Sequence, residues 1–177
     1  IRTNGIRISY LPQIPEFEPH GSVLEQVMLH LPADLKEAKT FEAKSILGKL
    51  GITDETRDIS TLSGGEKQKV AFASVYAMNP DIYLLDEPSS NLDIDAIQDL
   101  RKHLKLVKQQ GKTILIAEHR LYYLMDVVDR IVYMEQGQIA GIYTPEQFRA
   151  IEKDERKRMG LRAVNLHEVH PQFTSPG

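Results

Sequence analysis

Two carboxylates stand side by side at Asp86 and Glu87, directly after the apolar run Ile82-Tyr83-Leu84-Leu85. Open α/β sheets bind ligands at the C-terminal ends of such strands. One carboxylate there can hold a magnesium ion while its neighbour orients, or takes a proton from, an attacking water. That division suits phosphoryl transfer, where positioning and charge neutralisation carry most of the catalysis. Taken alone, the pair also reads as a polar strand end that caps the next turn. A second group lies at Leu62-Ser63-Gly64-Gly65-Glu66, where a hydroxyl and two glycines open a helix. Unpaired backbone N–H groups and the helix dipole favour a phosphate at such a point. A plain serine cap has the same pattern. Gln13 and His119 each follow a strand, and their ordinary readings are a loop amide and a histidine satisfied in the core.

The elements that must position these groups follow from periodicity and punctuation. Arg7 to Leu11 reads as a strand ended by Pro12, and the stretch from Pro15 to Pro19 cannot propagate a helix. Helical spacing runs from the N-cap Ser22 to Leu31 and again from Asp34 to Leu50, with Gly51 as a stop. The polar stretch Ile52 to Leu62 is irregular. A helix then opens around Gly65 and runs to Ala77, before Asn79-Pro80 ends it. Ile82 to Leu85 is a strand stopped by Asp86, and its unbroken apolar character predicts burial on both faces, as in a parallel sheet.

Asp93 caps a long helix that turns Ile94, Ile97, Leu100, Leu104 and Val107 inward and ends at Gly111. Thr113 to Ala117 reads as a second buried strand, followed by a short helix around Leu121 to Val128. A strand over Ile131 to Met134 turns at Gln136-Gly137 into a return strand ending at Tyr143. Thr144-Pro145-Glu146-Gln147 is a capping box that starts a last helix. The charged run 152–158 reads as a solvated helix face, and His167 to Gly177 has no readable order. Strands separated by helices predict an α/β sheet with right-handed crossovers and a terminal hairpin.

Composition sets the outer bounds. The 177 residues, 41% apolar and 27% charged, make one domain's worth of chain. The absence of cysteine excludes a disulfide framework, a thiolate zinc site and a cysteine nucleophile. A near balance of 22 basic and 25 acidic residues gives no global field to attract a nucleic acid or an anionic membrane. No apolar run approaches the ~18 residues that span a bilayer, and no secretory signal pattern opens the chain. The first residue is Ile1, with strand-like sequence almost at once, which suggests a processed or truncated piece.

Order and spacing join the scattered groups. Gln13, LSGGE at 62–66, the Asp86-Glu87 pair, SNLD at 90–93 and His119 occur in a sequence that resembles the ATP-binding cassette (ABC) ATPases. In that resemblance Gln13 matches the Q-loop glutamine and Ser63, Gly64 and Gly65 the signature loop. Asp86 matches the Walker B aspartate, Glu87 the catalytic glutamate, Asp93 the D-loop aspartate and His119 the switch histidine. The resemblance covers residues 1 to about 145. A finer similarity, in LSGGEKQKVAFASVYA, LLDEPSSNLD, GKTILIAEHRLYYLMDVVDR and MGLRAVNL, is to the energy-coupling-factor type and to its chains with two fused cassettes. Glu66 departs from the commoner LSGGQ.

The resemblance implies a P-loop NTPase-like α/β fold with a mostly parallel sheet and a helical subdomain. It divides the chain into a strand and Q-loop at 1–15, a helical subdomain with the signature at 16–78, a RecA-like core at 79–145, and a C-terminal helix and tail at 146–177. It further implies ATP and magnesium as ligands, with Asp86 and Gln13 on the metal, Glu87 and His119 catalytic, and Ser63, Gly64, Gly65, Gln13 and Asp93 at nucleotide. The implied partners are a second cassette, separate or fused, and an integral membrane transport subunit, with no nucleic acid. The implied location is cytoplasmic, peripheral at the inner face of the membrane.

One family element is absent from these residues, the P-loop G-x-x-x-x-G-K-[ST]. Gly111-Lys112-Thr113 is a decoy, because Leu106 stands where the first glycine belongs. The expectation is therefore the C-terminal two-thirds of a cassette, inactive alone. Two rival readings stand beside it. One is a soluble ABC-F type translation factor ATPase, against which Glu118-His119-Arg120 replaces that group's usual Ser-His-Asp. The other is a non-catalytic module that lends its signature loop to a partner.

Overall fold

The computed structural model describes residues 5–160. It divides between Glu118 and His119 into two compact units.

The first unit carries a three-stranded parallel sheet in the order β1 (Ile8–Leu11), β2 (Ile82–Asp86), β3 (Thr113–Ala117). Ile8 pairs with Ile82 and Ile82 with Thr113, which brings the C-terminal ends of β1 and β2 level. Helices α1 (Val23–Met28), α2 (Ala33–Lys49) and α3 (Gly64–Ala77) follow β1, and α4 (Ile94–Gln109) follows β2. Ser22 caps α1 in a capping box with Glu25, and the extended Pro32 keeps α1 and α2 separate, so α1 stops at Met28 rather than Leu31. Gly51 ends α2 at φ +81°, a conformation that a residue without Cβ adopts at little cost. Asn79 does the same for α3 at φ +44°. Between them, Ile59–Thr61 forms a single 3-10 turn inside the irregular stretch. Val23, Val27, Ile46, Leu47, Val70 and Phe72 bury the core of this helical block.

Tyr83 and Leu85 of β2 are buried, and its other face is half-buried. Asp86 belongs to the strand, paired with Ala117, so the turn begins at Glu87. On α4 the residues Ile97, Leu100, Leu104 and Val107 are buried as the spacing predicts. Ile94 is 45% exposed, because it is the first helical residue and precedes the packed face. The expected burial of β3 does not hold: Leu115 is 60% exposed. Among the described residues β3 pairs with β2 alone, and its side chains alternate between half-covered and open.

The second unit centres on the hairpin β4 (Ile131–Glu135) and β5 (Gln138–Tyr143). Gln136 and Gly137 turn at φ +49° and +77°, the twist that two-residue hairpin turns require. The helix expected over Leu121 to Val128 is a 3-10 turn at Leu121–Tyr123, since Arg120 gives no side-chain cap. The Thr144 capping box starts α5 (Pro145–Arg149) as read. Extended backbone at Glu152 then breaks the last helix and restarts it as α6 (Lys153–Arg158). Met125 and Phe148 form the small core, with Leu121, Ile131 and Tyr143 against them. The tail from His167 lies outside the described residues. No helix among the described residues is long and apolar enough to cross a membrane.

Candidate functional site

Parallel pairing of β1 with β2 sets the loop after β1 beside the end of β2. Gln13 Nε2 donates to Glu87 Oε2 at 2.9 Å, and the Tyr10 hydroxyl donates to Asp86 Oδ2 at 3.2 Å. Glu87 itself sits at φ +43°, uncommon for a residue with a side chain. Its N–H donates to Ala117 O, and its carbonyl accepts from the Ser90 N–H, both at 2.9 Å. These bonds fix the backbone of the sharp turn that aims the carboxylate toward Gln13. Ser89, buried, donates its N–H to Glu118 Oε2 at 3.4 Å, which ties the turn to the residue after β3.

The second cluster is the opening turn of α3. Ser63 Oγ accepts from the Glu66 N–H at 3.2 Å, and Glu66 Oε2 accepts from the Ser63 N–H at 2.8 Å. Arg57 Nη1 donates to Glu66 Oε1 at 2.7 Å. The Ser63 backbone N–H, followed by the Arg57 guanidinium, lowers the Glu66 carboxyl to about 2. The carboxylate therefore stays ionised, and Arg57 offsets a charge that would otherwise repel an anion. Ser63 and Gly64 are exposed. In the first helical turn the N–H groups of Gly64 and Gly65 have no acceptor within the helix, which leaves donors for a phosphate.

Gly65 is required for a different reason. A Cβ there would lie 2.7 Å from Asn91 O, so the backbone of 90–93 fills the space of a side chain. Asp93 ends that loop by accepting the Ala96 N–H at 2.8 Å, as the cap of α4. Thus the structure brings Gln13, Asp86 and Glu87 together and sets the Ser63 turn against the loop of Asp93. His119 is exposed and opens the second unit.

The donor set can be tested against magnesium. Among the described residues no group of three or more His, Asp and Glu side chains could cage a metal. Magnesium does not need one, since it binds through one or two carboxylates, waters and substrate phosphates. Asp86, with one oxygen engaged by Tyr10, fits that pattern, and Gln13, bonded to Glu87 through Nε2, has an amide oxygen besides. Beside this site lies a cavity of about 490 Å³ between β1 with its following loop and α1 with α3. Its wall includes Ile14, 79% exposed, with Phe17, Leu29 and Val75. Tyr10 and Arg57 are not legible as site residues in the sequence. Alternation along a strand is the signal for Tyr10, and nothing in the sequence marks Arg57.

Comparison with known proteins gives this geometry a context. The family model described as ABC transporter matches residues 1–90, just over half of the chain. A putative ABC transporter ATP-binding protein of Treponema denticola is 54% identical over 113 residues, which are 64% of this chain and 23% of that protein. The arginine transport ATP-binding protein ArtM of Bacillus subtilis is 36% identical over 150 residues, 82% of this chain and 62% of its own length. The chain thus spans less than two thirds of these curated relatives. A solved dimer of the ATP-binding cassette MJ0796, in a post-hydrolysis state with ADP and Pi, has the same fold. Its TM-score is 0.68 at 24% identity, over 79% of this chain and 63% of that one.

Proposed function

The chain belongs to the ABC transporter family, and from that premise we propose that it is part of the ATP-binding and hydrolysing subunit of an importer, one that couples hydrolysis to membrane transport. The observation that carries this reading is the Gln13–Glu87 hydrogen bond, which joins the loop after β1 to a carboxylate beside Asp86 at a parallel strand end. Glu87 polarises the attacking water. Asp86 and Gln13 hold magnesium, which when bound neutralises charge on the terminal phosphates, and His119 senses the γ-phosphate. Ser63, Gly64 and Gly65 bind the terminal phosphate of a nucleotide held by a facing cassette, with Asp93 at that junction.

The block 16–78 docks a membrane subunit and swings about Gln13 when hydrolysis occurs, an order-driven switch of a known kind. The cavity beside the loop after β1, walled in part by Ile14, Phe17, Leu29 and Val75, supports that docking role. The core at 79–145 and the helix and tail at 146–177 complete the division. The protein acts in the cytoplasm at the inner face of the membrane, and binds no nucleic acid.

The finer reading is an energy-coupling-factor type chain with two fused cassettes. A matched stretch of 113 residues is 23% of the Treponema protein, whereas 150 are 62% of ArtM, so the former is about twice as long and could hold two cassettes. Names such as arginine transport for ArtM and glutamine transport for GlnQ of the same organism favour a second reading, an amino-acid importer.

Because these 177 residues contain no G-x-x-x-x-G-K-[ST], they are expected not to turn over ATP alone. In the intact ATPase that carries them, Glu87→Gln should lower turnover by about 10²–10⁴-fold, the usual contribution of a positioned base, while ATP still binds. Unchanged turnover in that variant would overturn the assignment of Glu87. Turnover by the isolated chain that Glu87→Gln removes would overturn its dependence on a partner.

A further inference from the structure

The two carboxylates are gripped by one strand and the loop that follows it. Along β1, Ser9 and Leu11 are buried, and Tyr10 projects from the opposite face, 53% exposed. Along β2, Tyr83 and Leu85 are buried, and Asp86 shares the opposite face with Leu84. The register pairs Tyr10 with Leu84, so Asp86 is its diagonal neighbour on the same side of the sheet, within reach of a long side chain. That diagonal is closed by the 3.2 Å bond from the phenol to Oδ2. Three residues further along, Gln13 closes the matching bond to Glu87.

An ionised carboxylate only accepts hydrogen bonds and its two oxygens are equivalent, so a fixed donor on one of them makes the two unlike. With Oδ2 engaged, Oδ1 is the oxygen left to face a cation, and the side chain is held against rotation. Outer partners of this kind orient the groups that touch a metal.

We propose that Tyr10 is a positioning residue for the divalent cation: its hydroxyl holds Asp86 so that Oδ1 faces the metal. Together with Gln13 it ties both carboxylates to the strand that leads into the loop at Gln13. The inference rests on the reading of Asp86 as a magnesium-holding group.

The test compares wild type, Tyr10→Phe and Asp86→Asn in the intact ATPase that carries this chain. Tyr10→Phe keeps the ring and removes only the hydroxyl. Two quantities are read: the free Mg²⁺ that half-saturates ATP turnover, and the Mn²⁺ retained by ADP-loaded protein, counted by electron paramagnetic resonance without turnover. Tyr10→Phe should raise the half-saturating Mg²⁺ by about tenfold, the low end of the loss expected for an outer partner, with turnover recovering at high Mg²⁺. Mn²⁺ retention should weaken in parallel, and Asp86→Asn should be worse in both. If Asp86→Asn weakens metal binding and Tyr10→Phe leaves it unchanged, the inference fails. If neither variant affects metal binding, the reading of Asp86 fails first.

Discussion

At the end of β2, Asp86 and Glu87 are held by Tyr10 and Gln13, 76 and 74 positions away along the chain. At the start of α3, Ser63 is held by Glu66, three positions on, and Glu66 by Arg57, nine positions back. The first arrangement exists only after β1 and β2 have paired across a long intervening segment, and loop closure opposes that pairing until the sheet forms. The second needs little more than one helical turn and its approach. A strand-end site of this construction registers the state of the whole sheet, while the helix start can persist through local rearrangement.

The strongest way to break this contrast is at Gly65, where the local cluster packs tightly against a distant segment. Gly65→Ala should lower stability to urea by about 1–3 kcal/mol, as overpacking against fixed atoms does. The nearest atom is a backbone carbonyl, which no rotamer change can move. Gly64→Ala is the control: the closest contact of its Cβ is 3.8 Å, so it should be neutral or slightly stabilising. If the two glycines behave alike, the approach of residue 91 does not constrain the helix start. Next, Ser63→Ala should cost about 1 kcal/mol through loss of the cap, read from the same urea curves.

A pH series sharpens the local side further. The Glu66 carboxyl is lowered from 4.5 to about 2, so its contribution is complete above pH 4.5 and is lost as pH falls toward 2. Glu66→Gln keeps an acceptor for the Ser63 N–H but loses the charge paired with Arg57. Its melting temperature should therefore fall less than that of the wild type between pH 4.5 and 2, and an identical acid limb would refute the ionised pair. The smallest effect belongs to the long-range side. Gln13→Ala, at an exposed position, should change stability by less than about 0.5 kcal/mol. A larger change in the urea midpoint would mean that Gln13 helps hold the sheet together.

The same contrast explains what the sequence discloses. The caps at Ser22, Ser63, Asp93 and Thr144, the stops at Gly51 and Asn79, and the turn at Gln136-Gly137 are all legible, because each depends on residues within one turn. The candidate site is legible as a set of spaced motifs, but its contacts are not. Strand order puts Tyr10 on Asp86, and the approach of Arg57 to Glu66 crosses an irregular segment. Elements that depend on what surrounds them differ from their sequence pattern. The run over Leu121 to Val128 has a helical pattern but no cap to start it, and β3 has an apolar sequence without the two-sided cover that its composition suggests.

The seat of Asn91 O beside Gly65 has a mechanical consequence. Where a carbonyl occupies the volume of a missing methyl, the two segments cannot move closer together. A force that presses residues 90–93 toward α3 is passed directly to its first turn. Signals at that junction would then pass as rigid displacement, without a chain of intermediate side chains.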